Sequence, residues 1–237
     1  GRDSFDYLVE DLDIGLDLHQ FDRIPATGRV IIAANHPTGL ADGVAMWEAL
    51  KRIRSDILFF ANADAIRVSP RMVDVIIPVE WVAEKRSPAK AKETLRRAKE
   101  AFEAEKCVVI FPSGRLAAME EDGLTERPWF QTVATLARKQ KCPIIPVHVK
   151  ARNSWLFYFL SKVSGELRDI TLFYELLNKK GSRFEMTAGE PIQPEDLAGD
   201  VQLVTEELKN YVAYELGDKP HQTFAEYRAS LGDLPDS

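Results

Sequence analysis

A chain of 237 residues is long enough to bury a full core, and its ordinary balance of apolar and charged side chains excludes disordered, collagen-like and disulfide-scaffold classes. Acids outnumber bases by 37 to 31, so the net charge of −6 excludes a general nucleic-acid binder, and any anion site has to be local. The two cysteines, Cys107 and Cys142, make neither a metal cluster nor a disulfide framework and suit a reducing compartment such as the cytoplasm. No apolar run reaches the roughly 20 residues that cross a bilayer, and the N-terminus lacks the basic-then-apolar order of a signal peptide. Membrane contact is therefore expected only from the surface.

In residues 1–28, Phe5, Leu8, Val9, Leu12, Ile14 and Leu16 recur at roughly helical spacing among acids, which predicts an amphipathic N-terminal helix region. The β-branched run 28–34 reads as a buried strand, 40–53 as a helix and 56–60 as a second strand. Strands follow at 75–79, 106–111 and 144–149, with helices between them over 87–106, with Pro88 in its first turn, and over 129–141. Beyond the aromatic run 155–160, a helix over 167–178, a strand over 183–188 and a last helix over 194–216 complete the chain. Strands alternating with helices predict one α/β domain over 1–237, a mostly parallel central sheet flanked by helices. There is no internal repeat and no low-complexity linker.

Chemistry concentrates where the first strand ends, at Asn35-His36-Pro37-Thr38-Gly39-Leu40-Ala41-Asp42. Proline pushes His36 into extended backbone, and Pro37-Thr38-Gly39 turns the chain into a helix. On one continuous helix, residues 36 and 42 would point about 240° apart. The turn lets Asp42 fold back to the imidazole at the carboxyl end of the strand, where open α/β sheets place ligands. A neutral imidazole can take the proton of an attacking hydroxyl or amine, and a carboxylate on its other nitrogen fixes the tautomer. A capping aspartate beside a packed histidine would leave the same short pattern, so the pair alone does not decide.

Cys107-Val108-Val109-Ile110-Phe111-Pro112-Ser113-Gly114-Arg115 repeats the design: a strand, a sharp turn, then a cation. Gly114 permits close backbone approach, and Arg115 can hold a phosphate or carboxylate through two hydrogen bonds. Ser113 lacks the Gly-x-Ser-x-Gly setting of a hydrolase nucleophile.

Taken in order, Asn35-His36…Asp42, Phe111-Pro112-Ser113-Gly114-Arg115 and Ile144-Ile145-Pro146-Val147 resemble the phospholipid/glycerol acyltransferase family, lysophospholipid acyltransferase-like enzymes, over residues 30–192. That family pairs Asn-His-x4-Asp with Phe-Pro-Glu-Gly-Thr-Arg and a strand ending Val-Pro-Val. Here five residues separate His36 from Asp42, Ser113 stands where the family has Glu, and Arg115 follows the glycine directly. These departures point away from a glycerol-phosphate acceptor. The form Asn-His-Pro-x-Gly-x-x-Asp-Gly, with 152–158 downstream, is more similar to the hemolysin-like, ornithine-lipid acyltransferase branch. The resemblance implies His36 and Asp42 as the catalytic pair, with Ser113, Gly114 and Arg115 in substrate binding. It maps a further acceptor segment onto Ile77-Pro78-Val79-Glu80-Trp81, with Arg86 the nearest cation. The implied donor is acyl carrier protein or coenzyme A carrying a fatty acyl thioester, and the implied acceptor a lysolipid or amino-lipid at the inner face of the cell membrane. No cofactor or metal is expected.

The basic stretch from Lys85 to Lys106 suits acyl carrier protein or an anionic lipid surface, and equally a solvated outer face. Trp155 to Leu160 suits a membrane interface or acyl pocket, and equally core packing. Backbone amides near Gly114 or after Gly39 are candidates for an oxyanion site. Two rivals stand beside the transferase: a thioesterase or lipase in which water replaces the acceptor, and a lipid-binding protein without activity.

Overall fold

The computed structural model describes residues 2–62, 70–80, 87–121, 123–163 and 165–232. Its centre is a seven-stranded sheet. In chain order the strands are β1 (Gly15–His19), β2 (Val30–Ala34), β3 (Ile57–Asn62), β4 (Ile76–Val79), β5 (Cys107–Ile110), β8 (Ile144–Lys150) and β9 (Arg183–Ala188). They lie side by side in the order β1-β9-β8-β2-β5-β3-β4. The five strands from β8 to β4 run parallel, while β9 pairs antiparallel with β8 and carries β1 parallel to itself. The expected mostly parallel sheet flanked by helices is present.

Its central strand explains the layering. In β2 all five residues are buried, and the two-residue period sends Val30, Ile32 and Ala34 to one face and Ile31 and Ala33 to the other. The first face packs under α1 (Arg2–Leu12) and α2 (Leu40–Leu50), through Phe5, Trp47 and Leu50. The second packs under α3 (Pro88–Glu103), α4 (Thr132–Gln140) and α7 (Val201–Asn210), through Phe102, Val133 and Leu208. Between α4 and α7 lie α5 (Trp155–Val163) and α6 (Gly165–Asn178), and α8 (Phe224–Gly232) ends the described chain.

Three boundaries differ from the sequence expectation. The N-terminal helix stops at Leu12, where Asp13 takes a positive φ of 46°, and residues 15–19 become the edge strand β1. The loop after Arg115 contains an antiparallel hairpin, β6 (Ala118–Glu120) and β7 (Gly123–Thr125). The last helix is divided: Pro194–Leu197 is a 3-10 turn, Asp200 then caps α7 by accepting from the amides of Gln202 and Leu203, and Tyr211–Glu215 winds into a π-turn.

His148 is a packed histidine. Its Nδ1 lies 2.9 Å from the Val212 carbonyl, and burial holds its pKa below the usual histidine value. Both cysteines are buried, and burial pushes each thiol up to about 12.

Candidate active site

The carboxyl ends of β2, β5 and β8 lie next to one another, so the segments that leave them meet. Asn35 fixes the first. Its side chain donates to the Val149 carbonyl (2.9 Å) and accepts from the Val149 amide (2.7 Å), continuing the β2–β8 ladder by one side-chain step. His36 then leaves the sheet, and Asp42 returns from the first turn of α2 with Nδ1 of His36 3.0 Å from its Oδ2.

The other hydrogen bonds to Asp42 among the described residues all come from donors. The amides of Thr38 (2.8 Å) and Gly39 (2.9 Å) donate to Oδ2, and the Thr38 hydroxyl donates to Oδ1. A carboxylate in this setting acts as an acceptor towards the ring too, so Nδ1 carries its proton and Nε2, across the ring, presents a lone pair. Asp42 has no exposed side-chain surface and His36 keeps 18%. The imidazole lies nearly parallel to the Phe111 ring, centroids 4.3 Å apart. The β2 end thus supplies an imidazole, the α2 turn a carboxylate in contact with it, and the β5 end the ring stacked against it.

The rest of the Phe111–Arg115 block builds a turn. Ser113 is buried, and its hydroxyl donates to the Arg115 carbonyl (2.8 Å), which removes it from consideration as a nucleophile. Gly114 has φ +58°, and its amide donates to the Phe111 carbonyl (3.0 Å). That amide, like Gly39's, is therefore already used, and neither is free for an oxyanion. The first-turn amides of α2 beyond Gly39, at Leu40 and Ala41, are the remaining donors at that helix start. Arg115 is exposed, and its guanidinium has no partner among the described residues. Arg86 and Trp81 lie outside the described residues. The Ile77-Pro78-Val79 strand is β4, three strands from β2 at about 4.8 Å each.

The sequence reading gave no contacts for several neighbours. Glu126, just past the β6–β7 hairpin, is buried and accepts from the His36 amide (3.1 Å) and from Trp129 Nε1 (3.0 Å). Burial pushes its carboxyl above the usual range, against the pull of those two donors. Asn153 donates to the Thr38 carbonyl (3.4 Å) from the β8 side. Beside it Ser154 bonds Glu175 through amide and hydroxyl, and Lys179 bonds the Arg152 carbonyl (2.8 Å) and lies 3.6 Å from Glu175. Lys150, Arg152, Lys179 and Arg183 line one groove together with Met119 and Leu124. Among the described residues no group of His, Cys, Asp and Glu side chains is arranged to hold a metal.

The aromatic run divides by helical period. Phe157 and Tyr158 are buried, whereas Trp155 (76%), Leu156 (49%) and Phe159 (50%) are exposed, and the Trp155 and Phe159 rings stack at 5.3 Å. On α3 many cations are matched: Arg96 bonds Glu93 and Glu100, Lys99 faces Glu103, and Lys90 reaches Glu80. These are mostly the i,i+3 and i,i+4 pairs of a solvated helix face.

Comparison with known proteins gives the family and the fold. The family model described as Acyltransferase matches residues 15–150. Lyso-glycine lipid O-acyltransferases from Phocaeicola vulgatus and Bacteroides thetaiotaomicron are 23% and 24% identical over 199 and 198 residues. Each match covers 81% of this chain, and 69% and 71% of the respective relatives. The crystal structure of the 1-acyl-sn-glycerophosphate (LPA) acyltransferase PlsC from Thermotoga maritima shares the fold. Its TM-score is 0.59 at 15% identity, over 94% of this chain and 81% of that one. The family match spans more than half the chain and takes in both the His36–Asp42 turn and the Phe111–Arg115 turn: the chain belongs to the acyltransferase family.

Proposed function

We propose that the protein transfers a fatty acyl group from a thioester, carried by acyl carrier protein or coenzyme A, to the hydroxyl of a lysolipid with an amino-acid headgroup. The observation that carries this reading is the His36–Asp42 contact at 3.0 Å with only donors elsewhere around the carboxylate. The acceptor hydroxyl attacks the thioester carbonyl as its proton passes to Nε2 of His36. The C–O bond forms, the C–S bond breaks, and the departing thiolate takes the proton from the imidazolium. A hydroxyl acceptor is favoured by the O-acyltransferase names of the two curated relatives, and an amino-acid headgroup by their lyso-glycine lipid substrate. Such a headgroup offers a carboxylate, which suits Arg115 or the groove of Lys150, Arg152, Lys179 and Arg183.

Incubation with lysolipids bearing amino-acid or glycerol-phosphate headgroups and with both donors, read by mass spectrometry, tests the reading. The expected product is a new ester on the amino-acid lysolipid. Thioester hydrolysis indifferent to every acceptor would establish the hydrolase instead.

The lipid acceptor is met at a membrane surface, through the face of Trp155, Leu156 and Phe159. Among the described residues no helix is long and apolar enough to cross a membrane. Exposed Trp and Phe suit the bilayer interface, and this face starts two residues from Asn153, which touches the Thr38 turn. Trp155→Ala with Phe159→Ala is expected to weaken co-sedimentation with vesicles by about tenfold or more. KM for a vesicle-borne acceptor should rise in parallel, with KM for a short, soluble acceptor unchanged. Equal vesicle binding by the double variant would remove this face from the account.

A further inference from the structure

His36 sits one step beyond the sheet. Pairing of β2 with β5 ends at Ala33 opposite Ile110, and pairing with β8 ends at Ala34 opposite Val147. The His36 carbonyl is taken by the Ala117 amide at 3.0 Å, so its own amide is the part of this peptide that the ladders leave without a carbonyl. A carboxylate oxygen 90 residues away fills that place: Glu126 Oε2, at 3.1 Å. The second oxygen, Oε1, accepts from Trp129 Nε1 at 3.0 Å, and Trp129 is buried in the core under α4. The Glu126 amide donates to the Tyr214 hydroxyl at 3.0 Å, which adds the C-terminal π-turn to the same assembly.

A carboxylate is an expensive choice for this place. Only 5% of Glu126 is exposed, and a neutral acceptor would satisfy the same main-chain amide without removing a charge from water. Two acceptor oxygens, however, grip two donors at once, the strand end on one side and a core indole on the other. An asparagine or glutamine would offer one oxygen and turn an NH2 toward the second donor. The grip falls on the residue whose ring must hold two contacts together, Nδ1 on Asp42 at 3.0 Å and the parallel stack on Phe111 at 4.3 Å. A change in the His36 main-chain angle moves the ring relative to both.

We propose that Glu126 is a positioning residue for acyl transfer, which acts through the His36 main chain to hold the imidazole against Asp42 and Phe111. This rests on His36 being the base, and the test keeps the two ideas apart. In Glu126→Gln, kcat is expected to fall about 10–100-fold, in line with what sub-ångström misplacement of a reacting group costs. KM for donor and acceptor should stay within about twofold, and the downfield proton resonance of the His36 Nδ1–H···Asp42 bond should shift or broaden. Tyr214→Phe removes only the outer support from a half-exposed side chain. It should keep its thermal midpoint while kcat drops a few-fold, and it serves where Glu126→Gln does not fold. A folded Glu126→Gln with kcat within twofold of the parent, or with an unmoved resonance, overturns the proposal, as does an unchanged kcat in Tyr214→Phe. If His36→Ala retains transfer, the base assignment and this role fall together. If His36→Ala is inactive and Glu126→Gln is not impaired, only the role of Glu126 falls.

Discussion

Replacing His36 with alanine is expected to lower kcat/KM for acyl transfer by about 10³–10⁴-fold, or roughly 4–5 kcal/mol of transition-state stabilisation, with the fold intact. The fold survives because the ring contributes little to the core: it keeps 18% exposure and lies on Phe111 at the end of the sheet rather than within it. Activity is expected not to survive, because among the described residues no other neutral base bonds Asp42. Asp42→Asn makes the complementary case. Its carboxylate receives the amides of Thr38 and Gly39, the Thr38 hydroxyl and the His36 ring, so an amide nitrogen faces two main-chain donors and the ring N–H in the Oδ2 place, and in the Oδ1 place it must reverse the Thr38 hydroxyl bond. That variant should lose activity and also about 1–3 kcal/mol of stability. Steady-state kinetics beside thermal unfolding separates the two variants. A folded His36→Ala retaining a tenth of parent activity would end the role assigned to the imidazole.

How much of this was legible beforehand follows from the distance over which each feature is specified. β2 and β5 announce themselves because they are buried on both faces and read as unbroken apolar runs, and β8 does so over residues 144–147. The His36–Asp42 pair was legible because Pro37, Thr38 and Gly39 set a local turn that brings residues six apart together. The Phe111 platform could be placed only by order, as the end of the next strand in the sheet. The contacts of Glu126 and Asn153 were not legible, although Asn153 lies in the 152–158 stretch: they reach His36 and Thr38 across 90 and 115 residues, and no local pattern encodes them. β1 was missed for a different reason. Ile14, Leu16 and Leu18 continue the apolar positions of α1 closely enough to fit either period, and the positive φ at Asp13 decides between them. The break before α7 did leave a signal, Gly199 at φ +108° followed by the capping Asp200, but Leu197 and Ala198 before it and Val201, Leu203 and Val204 after it masked it.

Gly39→Ala should damage both the fold and the site. Gly39 has φ +87° and ψ −123°, a region open to glycine and closed to residues with a Cβ. An added Cβ would also lie 2.5 Å from Leu116 Cδ2 and 3.3 Å from Leu172 Cδ1. The leucine methyls can swing aside, so the backbone conformation carries most of the cost. The two contributions together come to about 2–4 kcal/mol, which for a chain of this size lowers the thermal midpoint by roughly 5–15 °C. The chemical consequence is larger than the loss of stability, because the Gly39 amide is one of the donors that hold Asp42. If alanine rotates that peptide, Oδ2 loses a hydrogen bond and the carboxylate shifts relative to Nδ1. Transfer should then fall at least tenfold at temperatures where the variant is still folded. Unchanged kcat with a lowered midpoint would mean that the turn stabilises the fold without aligning the pair, and an unchanged midpoint would mean that the turn tolerates a Cβ after all. The expected result, both losses from one methyl group, follows from a turn that brings Asp42 back to the ring by way of a glycine conformation.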